Sequence, residues 1–224
     1  RAHPALRSNI ETYMRTREAV QQYTAIFGSD ALKIDDNSET PIHGISNREL
    51  SAVFGNTSES RHTRLALRLF GYGCPAVYFD QGGYDYHSGE ENALPGSMDR
   101  LNRLISGLLY VLPKMTHPEG GTYWDHTLVV FGSEFSRTAR GQRFNSANGS
   151  DHTSDYATRF MSMPVFGGPV SGGRVVGATT RKSDMAPEGP RYSYRSLMNT
   201  IMEAMGCDPS VFFPASPSIP GLVT

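Results

Sequence analysis

The chain has 224 residues, with 21 Lys and Arg against 22 Asp and Glu and a formal net charge of −1. This balance argues against a nucleic-acid-binding protein that works through bulk positive charge. Hydrophobic residues make up 38% of the chain, enough for one sizeable core. No apolar run approaches the roughly 20 residues of a membrane-spanning helix. We therefore expect a single folded domain over residues 1–224, with no nucleic-acid partner and no membrane span.

The chain begins at Arg1 without an initiator Met or a signal peptide. We interpret this start as a cut, made by processing or by the choice of fragment. Two cysteines, Cys74 and Cys207, set no disulfide framework: they either pair in an exported protein or remain two buried thiols. Neither lies in a motif, and thiolates do not suit a site of carboxylates and imidazoles. We expect neither cysteine to be needed for metal binding.

Helical patterns dominate the first part of the chain. A capping box of the form Ser-x-x-Glu opens a pattern over residues 8–28 and a shorter one over residues 46–54. A third helical pattern occupies residues 58–71 and stops at glycines. We divide the chain into a helical segment at residues 1–57, a core at residues 58–206 and a tail at residues 207–224.

The middle of the chain indicates a βαβ unit. Residues 76–80 and 127–132 are short apolar runs typical of buried strands, and residues 97–112 between them carry an amphipathic helical pattern. Such a unit normally places two parallel strands in one sheet. We therefore predict an α/β fold in which these two strands are parallel neighbours. The other predicted elements are two strands and a last helix, at residues 163–166, 174–176 and 194–205.

Polar loops follow both predicted strands at the carboxyl edge of the sheet, where ligands bind in parallel α/β proteins. Asp85 and His87 follow the first strand and Glu134 follows the second, so parallel pairing would bring their side chains together. His152, in a long polar loop, offers a further imidazole. Carboxylates and imidazoles that converge in this way predict a first-row metal site. The alternative is an Asp that orders its loop beside a surface His.

Two further patterns occur around the second loop. Arg137 offers a planar fork for phosphate or sulfate, or forms a solvated or salt-bridged pair with Arg140. Ser133 would form a serine hydrolase with His152 and Asp85, but it lacks the G-x-S-x-G elbow of such enzymes.

The other histidines are poorer candidates. His117 lies beside a proline in a predicted loop. Asp125 and His126 lie at the start of a predicted strand, at the opposite edge of the sheet from the predicted site. We therefore expect no functional role for them. The remaining three are His3, His43 and His62.

Four motifs carry a resemblance to a known family. They read GGYDYH, SEFSRT, GSDH and GGPVSGG, at residues 82–87, 133–138, 149–152 and 167–173. In this order they resemble a bacterial family of uncharacterised proteins in the alkaline phosphatase and sulfatase superfamily, matched over its C-terminal portion. The resemblance implies a three-layer α/β/α sandwich with a mostly parallel sheet, incomplete at its N-terminus. It also implies a periplasmic or exported location.

The same resemblance implies roles for particular residues. Asp85, His87 and His152 would bind one divalent ion (zinc, calcium, magnesium or manganese), with Glu134 as a further ligand and Arg137 as a substrate-binding residue. The implied function is a metal-dependent hydrolase of small phosphate or sulfate esters. Its metal would stabilise the charge that develops on the transferred group.

A non-catalytic binding or structural module is the alternative. Phe135 stands where active relatives in that superfamily carry a metal-binding His, and the superfamily's nucleophile is not found among these residues. A missing N-terminal segment or a second chain would then have to supply the nucleophile. A shared scaffold does not by itself imply a shared activity.

Overall fold

A computed structural model describes residues 4–28, 33–34, 43–78, 80–86, 90–134, 161–180 and 187–224. These residues belong to two compact units, residues 1–81 and residues 82–224. The helices are α1 (Pro4–Gly28), α2 (Asn47–Phe54), α3 (Ser58–Gly71), α4 (Glu90–Val111) and α5 (Tyr194–Ala204). The strands are β1 (Leu128–Val130), β2 (Val165–Gly167), β3 (Ala178–Thr179) and β4 (Pro187–Glu188), and a 3₁₀ helix follows at Pro209–Val211.

The predicted three-layer sandwich with a parallel sheet is wrong. Within the described ranges the strands form two separate two-stranded sheets, β1 with β2 and β3 with β4, and both pairs are antiparallel. Residues 76–78 and residue 80 form no strand. The Tyr78 side chain in that run is 92% exposed, so the apolar run is not a buried strand. β1 pairs instead with a segment much further along the chain, with Val129 opposite Phe166.

The first unit is built on α2 and α3, which the sequence predicted. The Ser46 hydroxyl accepts a hydrogen bond from the Glu49 backbone N–H at 3.2 Å, and the Ser46 N–H donates to the Glu49 carboxylate at 2.9 Å. The predicted capping box is therefore formed, and it satisfies N–H groups that the first helical turn leaves without partners. Apolar side chains from this unit form its core: Ile45, Leu50, Phe54, Ala66 and Leu67.

The second unit is organised around the C-terminal half of α4 and the segment that follows it. Leu112 and Met115 are almost completely buried at the end of this helix. The chain then turns back, and the backbone N–H groups of Tyr123 and Trp124 donate to the carbonyls of Met115 and Leu112 at 2.8 and 3.1 Å. These bonds attach the segment after α4 to the buried core. None of the described helices combines the length and apolarity needed to cross a membrane.

Candidate metal centre

The structure describes two of the five residues predicted for the site. Asp85 is exposed in the extended segment ahead of α4, and Glu134 is exposed after β1. His87, Arg137 and His152 lie outside the described residues. The topological reason for expecting these side chains to converge no longer holds, because β1 has no parallel neighbour among the described residues. Their shared metal site remains a prediction.

The segment that carries Asp85 is fastened to α4 through Ser97. The hydroxyl of Tyr84 donates to the Ser97 carbonyl at 2.9 Å, and the Tyr86 hydroxyl lies 2.6 Å from Ser97 Oγ. Ser97 Oγ also donates to the Gly83 carbonyl at 3.1 Å. Burial raises the pKa of Tyr84 above its usual value, so this phenol remains a neutral hydrogen-bond donor at neutral pH.

A different cluster of potential ligands lies after α4. His117, Glu119 and His126 hold their ligand atoms within 4.8 Å of one another. His117 is half-buried, whereas Glu119 and His126 are exposed. The sequence did not indicate this cluster, because the predicted parallel sheet placed His126 at the edge opposite to the predicted site. The signal that was available is the short spacing His-Pro-Glu followed by two glycines, which is typical of a tight turn.

A hairpin at residues 116–122 brings Glu119 beside His117. The bridge between Thr116 and Thr122 closes it, and the His117 N–H donates to the Gly121 carbonyl at 3.1 Å. The Gly120 N–H donates back to the His117 carbonyl at 3.0 Å, which completes a four-residue turn. Gly120 and Gly121 have φ angles of 97° and 69°, in the left-handed region that glycine adopts without strain.

Two further turns return the chain to this hairpin. The Asp125 N–H donates to the Thr122 carbonyl at 3.1 Å, and the His126 N–H donates to the Tyr123 carbonyl at 3.3 Å. The Asp125 carboxylate accepts hydrogen bonds from the Thr122 backbone N–H and hydroxyl, which hold its pKa below the usual range. These contacts place His126 opposite His117, although nine positions separate them in the sequence.

The hydrogen bonds around the two rings determine which nitrogen is available to a metal ion. His126 Nε2 lies 2.9 Å from the Gly120 carbonyl oxygen, so that nitrogen carries the proton and Nδ1 keeps its lone pair. His117 Nδ1 accepts a hydrogen bond from the Glu119 N–H at 3.2 Å. A metal ion that bound His117 at Nδ1 would displace the Glu119 N–H from that nitrogen. To bind at Nε2, the ion would need the ring proton to move from Nε2 to Nδ1.

Metal binding requires a local rearrangement of the cluster. The rings of His117 and His126 are stacked, and an ion that binds both must lie in the plane of each, so the stack has to open. A tetrahedral ion with bonds of about 2.0–2.2 Å holds its ligand atoms roughly 3.3–3.6 Å apart. The ligand atoms, at most 4.8 Å apart, therefore have to come closer in addition to the reorientation of the rings. Rotations of the exposed Glu119 and His126 side chains supply these movements.

The turn that carries His126 packs against two glycines of the GGPVSGG motif. The Gly168 N–H donates to the Trp124 carbonyl at 2.8 Å. A Cβ atom at Gly168 would lie 2.6 Å from the Asp125 Cα, and one at Gly167 would lie 1.9 Å from the Thr127 carbonyl oxygen. Glycine is therefore required at both positions because two stretches of backbone approach each other too closely for a side chain.

Taken together, the described residues define a helix-rich protein with small antiparallel sheets and a surface cluster of two imidazoles and a carboxylate. The chain belongs to the family described as protein of unknown function (DUF1501), whose model matches residues 5–217. No curated protein and no solved structure matches the chain significantly.

The family match also corrects the resemblance inferred from the motifs. The match covers almost the whole chain, including the N-terminal helices that the motifs did not reach. The assignment to the C-terminal portion of a family in the alkaline phosphatase and sulfatase superfamily is therefore wrong. The four motifs were short, so their order was weaker evidence than a match along the full chain.

Proposed function

We propose that this protein binds a divalent transition-metal ion through His117, Glu119 and His126. The observation that carries the proposal is the approach of their ligand atoms to within 4.8 Å of one another. Two imidazoles and one carboxylate suit zinc and its first-row neighbours better than magnesium or calcium, which prefer oxygen ligands throughout. The affinity should follow the Irving–Williams order, with copper(II) bound more tightly than zinc.

The number of ligands supports a second candidate function, metal-dependent hydrolysis, which we propose to test on phosphate and sulfate esters. Three protein ligands leave one position of a tetrahedral ion for water, as in catalytic zinc sites. A zinc ion held by these three residues would supply a nucleophile from a bound water near neutral pH and would polarise an ester oxygen. Glu119 and His126 are exposed, so an ester in solution has direct access to the ion. The non-catalytic alternative is an ion that only ties the hairpin to the following turn.

Metal binding is tested by titrating the protein with Zn²⁺ in competition with a chromophoric chelator. We expect one ion per chain in the wild type. Loss of an orienting partner outside the coordination shell costs 10–100-fold in affinity, so His126→Ala, which removes a ligand, should cost more than about 100-fold. His62→Ala is the matched control, because His62 is an exposed histidine on α3 in the other unit. Equal affinities for the wild type and His126→Ala would overturn the proposal.

The same titration separates this centre from the site predicted around Asp85. If Asp85, His87 and His152 form a second centre, the wild type binds two ions. Asp85→Ala then removes one ion and His126→Ala removes the other. A stoichiometry of one that Asp85→Ala abolishes and His126→Ala preserves would assign the ion to the predicted site and not to the hairpin.

Hydrolysis is tested with p-nitrophenyl phosphate and p-nitrophenyl sulfate on the zinc-loaded and chelator-treated protein. The second candidate function requires zinc-dependent turnover of at least one ester, with kcat/KM reduced by His126→Ala and unchanged by His62→Ala. Stoichiometric zinc binding without turnover of either ester would leave the non-catalytic metal site as the function.

A further inference from the structure

We infer that Asp125 is the positioning residue of this metal centre. Its carboxylate fixes the turn that carries His126 against the hairpin that carries His117 and Glu119. The inference rests on the metal binding proposed above. It assigns Asp125 no bond to the ion and no contact with a substrate.

The Asp125 carboxylate is hydrogen-bonded to the base of the hairpin. Its Oδ2 atom accepts from both the Thr122 backbone N–H and the Thr122 hydroxyl, each at 2.8 Å. Thr122 is the residue that closes the hairpin through its bridge to Thr116. Asp125, the residue that precedes His126, is therefore bonded directly to the base of the hairpin.

The absence of a side chain at Gly121 leaves space for the Asp125 carboxylate. A Cβ atom at Gly121 would lie 2.8 Å from Asp125 Oδ2, closer than real Cβ contacts allow. Gly121 also has a φ angle of 69°, which side chains disfavour. The hairpin thus leaves room for Asp125 at the position where the carboxylate meets Thr122.

Hydrogen bonds to the turn and to the hairpin hold His126 in place. Its backbone is held by the turn from Tyr123, and its Nε2 atom is held by the Gly120 carbonyl at 2.9 Å. Gly120 belongs to the hairpin, so this contact survives only while the turn and the hairpin keep their separation. Asp125 maintains that separation, so the His126 backbone stays beside the hairpin when the ring turns to bind the ion. Residues that orient metal ligands in this way commonly contribute 10–100-fold to metal affinity.

The test compares Asp125→Ala, Asp125→Asn and the control Asp99→Ala, which removes an exposed aspartate on α4. Asparagine keeps an oxygen that accepts from Thr122, whereas alanine does not. We expect Asp125→Ala to bind Zn²⁺ about 10–100-fold more weakly than the wild type, and Asp125→Asn to recover most of this loss. Asp99→Ala should bind like the wild type.

Two additional measurements separate positioning from a general loss of structure. The visible spectrum of the Co²⁺-loaded protein reports coordination geometry, and we expect its bands to change in Asp125→Ala. Thr122→Val keeps the backbone N–H donor and removes only the hydroxyl. It should therefore show a smaller loss of affinity, even if Asp125→Ala fails to fold.

The outcomes also separate this inference from the proposed function. A wild-type protein that binds no Zn²⁺ overturns the metal centre itself. A wild-type protein that binds Zn²⁺ while Asp125→Ala binds equally well, with an unchanged Co²⁺ spectrum, overturns only the positioning role. Equal losses in Asp125→Ala and Asp125→Asn would also overturn it, because the charge and not the hydrogen bonding would then be responsible.

Discussion

The imidazole rings of His117 and His126 lie nearly parallel, with their centroids 3.9 Å apart and an angle of 14° between their planes. The rings of Tyr123 and His117 form a T-shaped pair, with the centroids 4.9 Å apart. The stacked pair is therefore supported from the core on one side and exposed at His126 on the other. This arrangement holds two imidazoles near one carboxylate before any ion arrives.

We predict that zinc opens this stack, because an ion bound to both rings must lie in both ring planes. The measurement is a pair of proton NMR spectra that record nuclear Overhauser effects between the two rings. These effects should be present in the metal-free protein and lost at saturating Zn²⁺. Contacts between the rings that persist at one bound ion per chain would contradict the prediction.

A second prediction follows from the close approach of Gly168 to the turn that carries His126. Gly168→Ala places a Cβ atom 2.6 Å from the Asp125 Cα and 2.7 Å from the Trp124 carbonyl oxygen, and neither backbone atom can rotate away. Overpacking of this kind costs about 1–3 kcal/mol in the free energy of unfolding. Urea denaturation measures the loss. Gly172→Ala is the matched control, because a Cβ atom there has no neighbour within 4 Å.

A third prediction concerns Leu112, the buried residue to which the segment after the hairpin is hydrogen-bonded. Its side chain is 0% exposed, and its carbonyl accepts the Trp124 N–H. Leu112→Ala leaves a cavity and should lower the free energy of unfolding by about 2–5 kcal/mol. Leu109→Ala removes the same atoms from a side chain that is 46% exposed, so its effect should be much smaller. Equal losses in the two variants would show that Leu112 does not belong to the core.

A fourth prediction concerns pH and the start of the 3₁₀ helix. Hydrogen bonds from the Ser210 side chain and backbone N–H hold the pKa of Asp208 below its ordinary value of 3.8. A carboxyl group whose folded-state pKa is lowered contributes stability that is fully present above the ordinary pKa. This contribution disappears as the pH falls through the lowered folded-state pKa.

The measurement for Asp208 is urea denaturation of the wild type and Asp208→Asn across the acid range. The wild type should be the more stable of the two near neutral pH. The difference that depends on charge should shrink only below the ordinary pKa of the carboxyl group. A difference that stays constant down to the most acidic pH at which the protein folds would contradict the prediction.

Local patterns in the sequence predicted α2, α3 and α5 well, whereas α1 begins at Pro4, ahead of the predicted Ser8 capping box, and α4 begins at Glu90 and not near residue 97. The pattern over residues 58–71 is a helix with those bounds, and the Ser46 capping box opens α2. The last helix, predicted over residues 194–205, runs from Tyr194 to Ala204. These elements could be predicted because a helix makes its hydrogen bonds and caps within a few residues, so the sequence contains both partners in one short window.

The sheet and the candidate metal centre depended on contacts between distant residues. Val129 pairs with Phe166 in antiparallel register, which no pattern around residue 129 encodes. Because this pairing is antiparallel, the described residues form no parallel-sheet edge at which Asp85 and Glu134 would meet. His126 was rejected for lying at the opposite edge of that predicted sheet, so this reason no longer holds. An apolar run indicates that a segment can be buried, but it does not select the partner or the direction of the pairing.

The sequence by itself therefore determined α2, α3 and α5 and the Ser46 cap, because each depends on neighbours along the chain. Only the tertiary structure decided which strands pair and which side chains share a site. His126 reaches His117 and Glu119 through the hydrogen bonds of Tyr123, Thr122 and Asp125. It stays there because Gly168 lets a distant strand end pack directly against that turn. Such a juxtaposition is a property of backbone packing between distant segments, so a local pattern of residues cannot specify it.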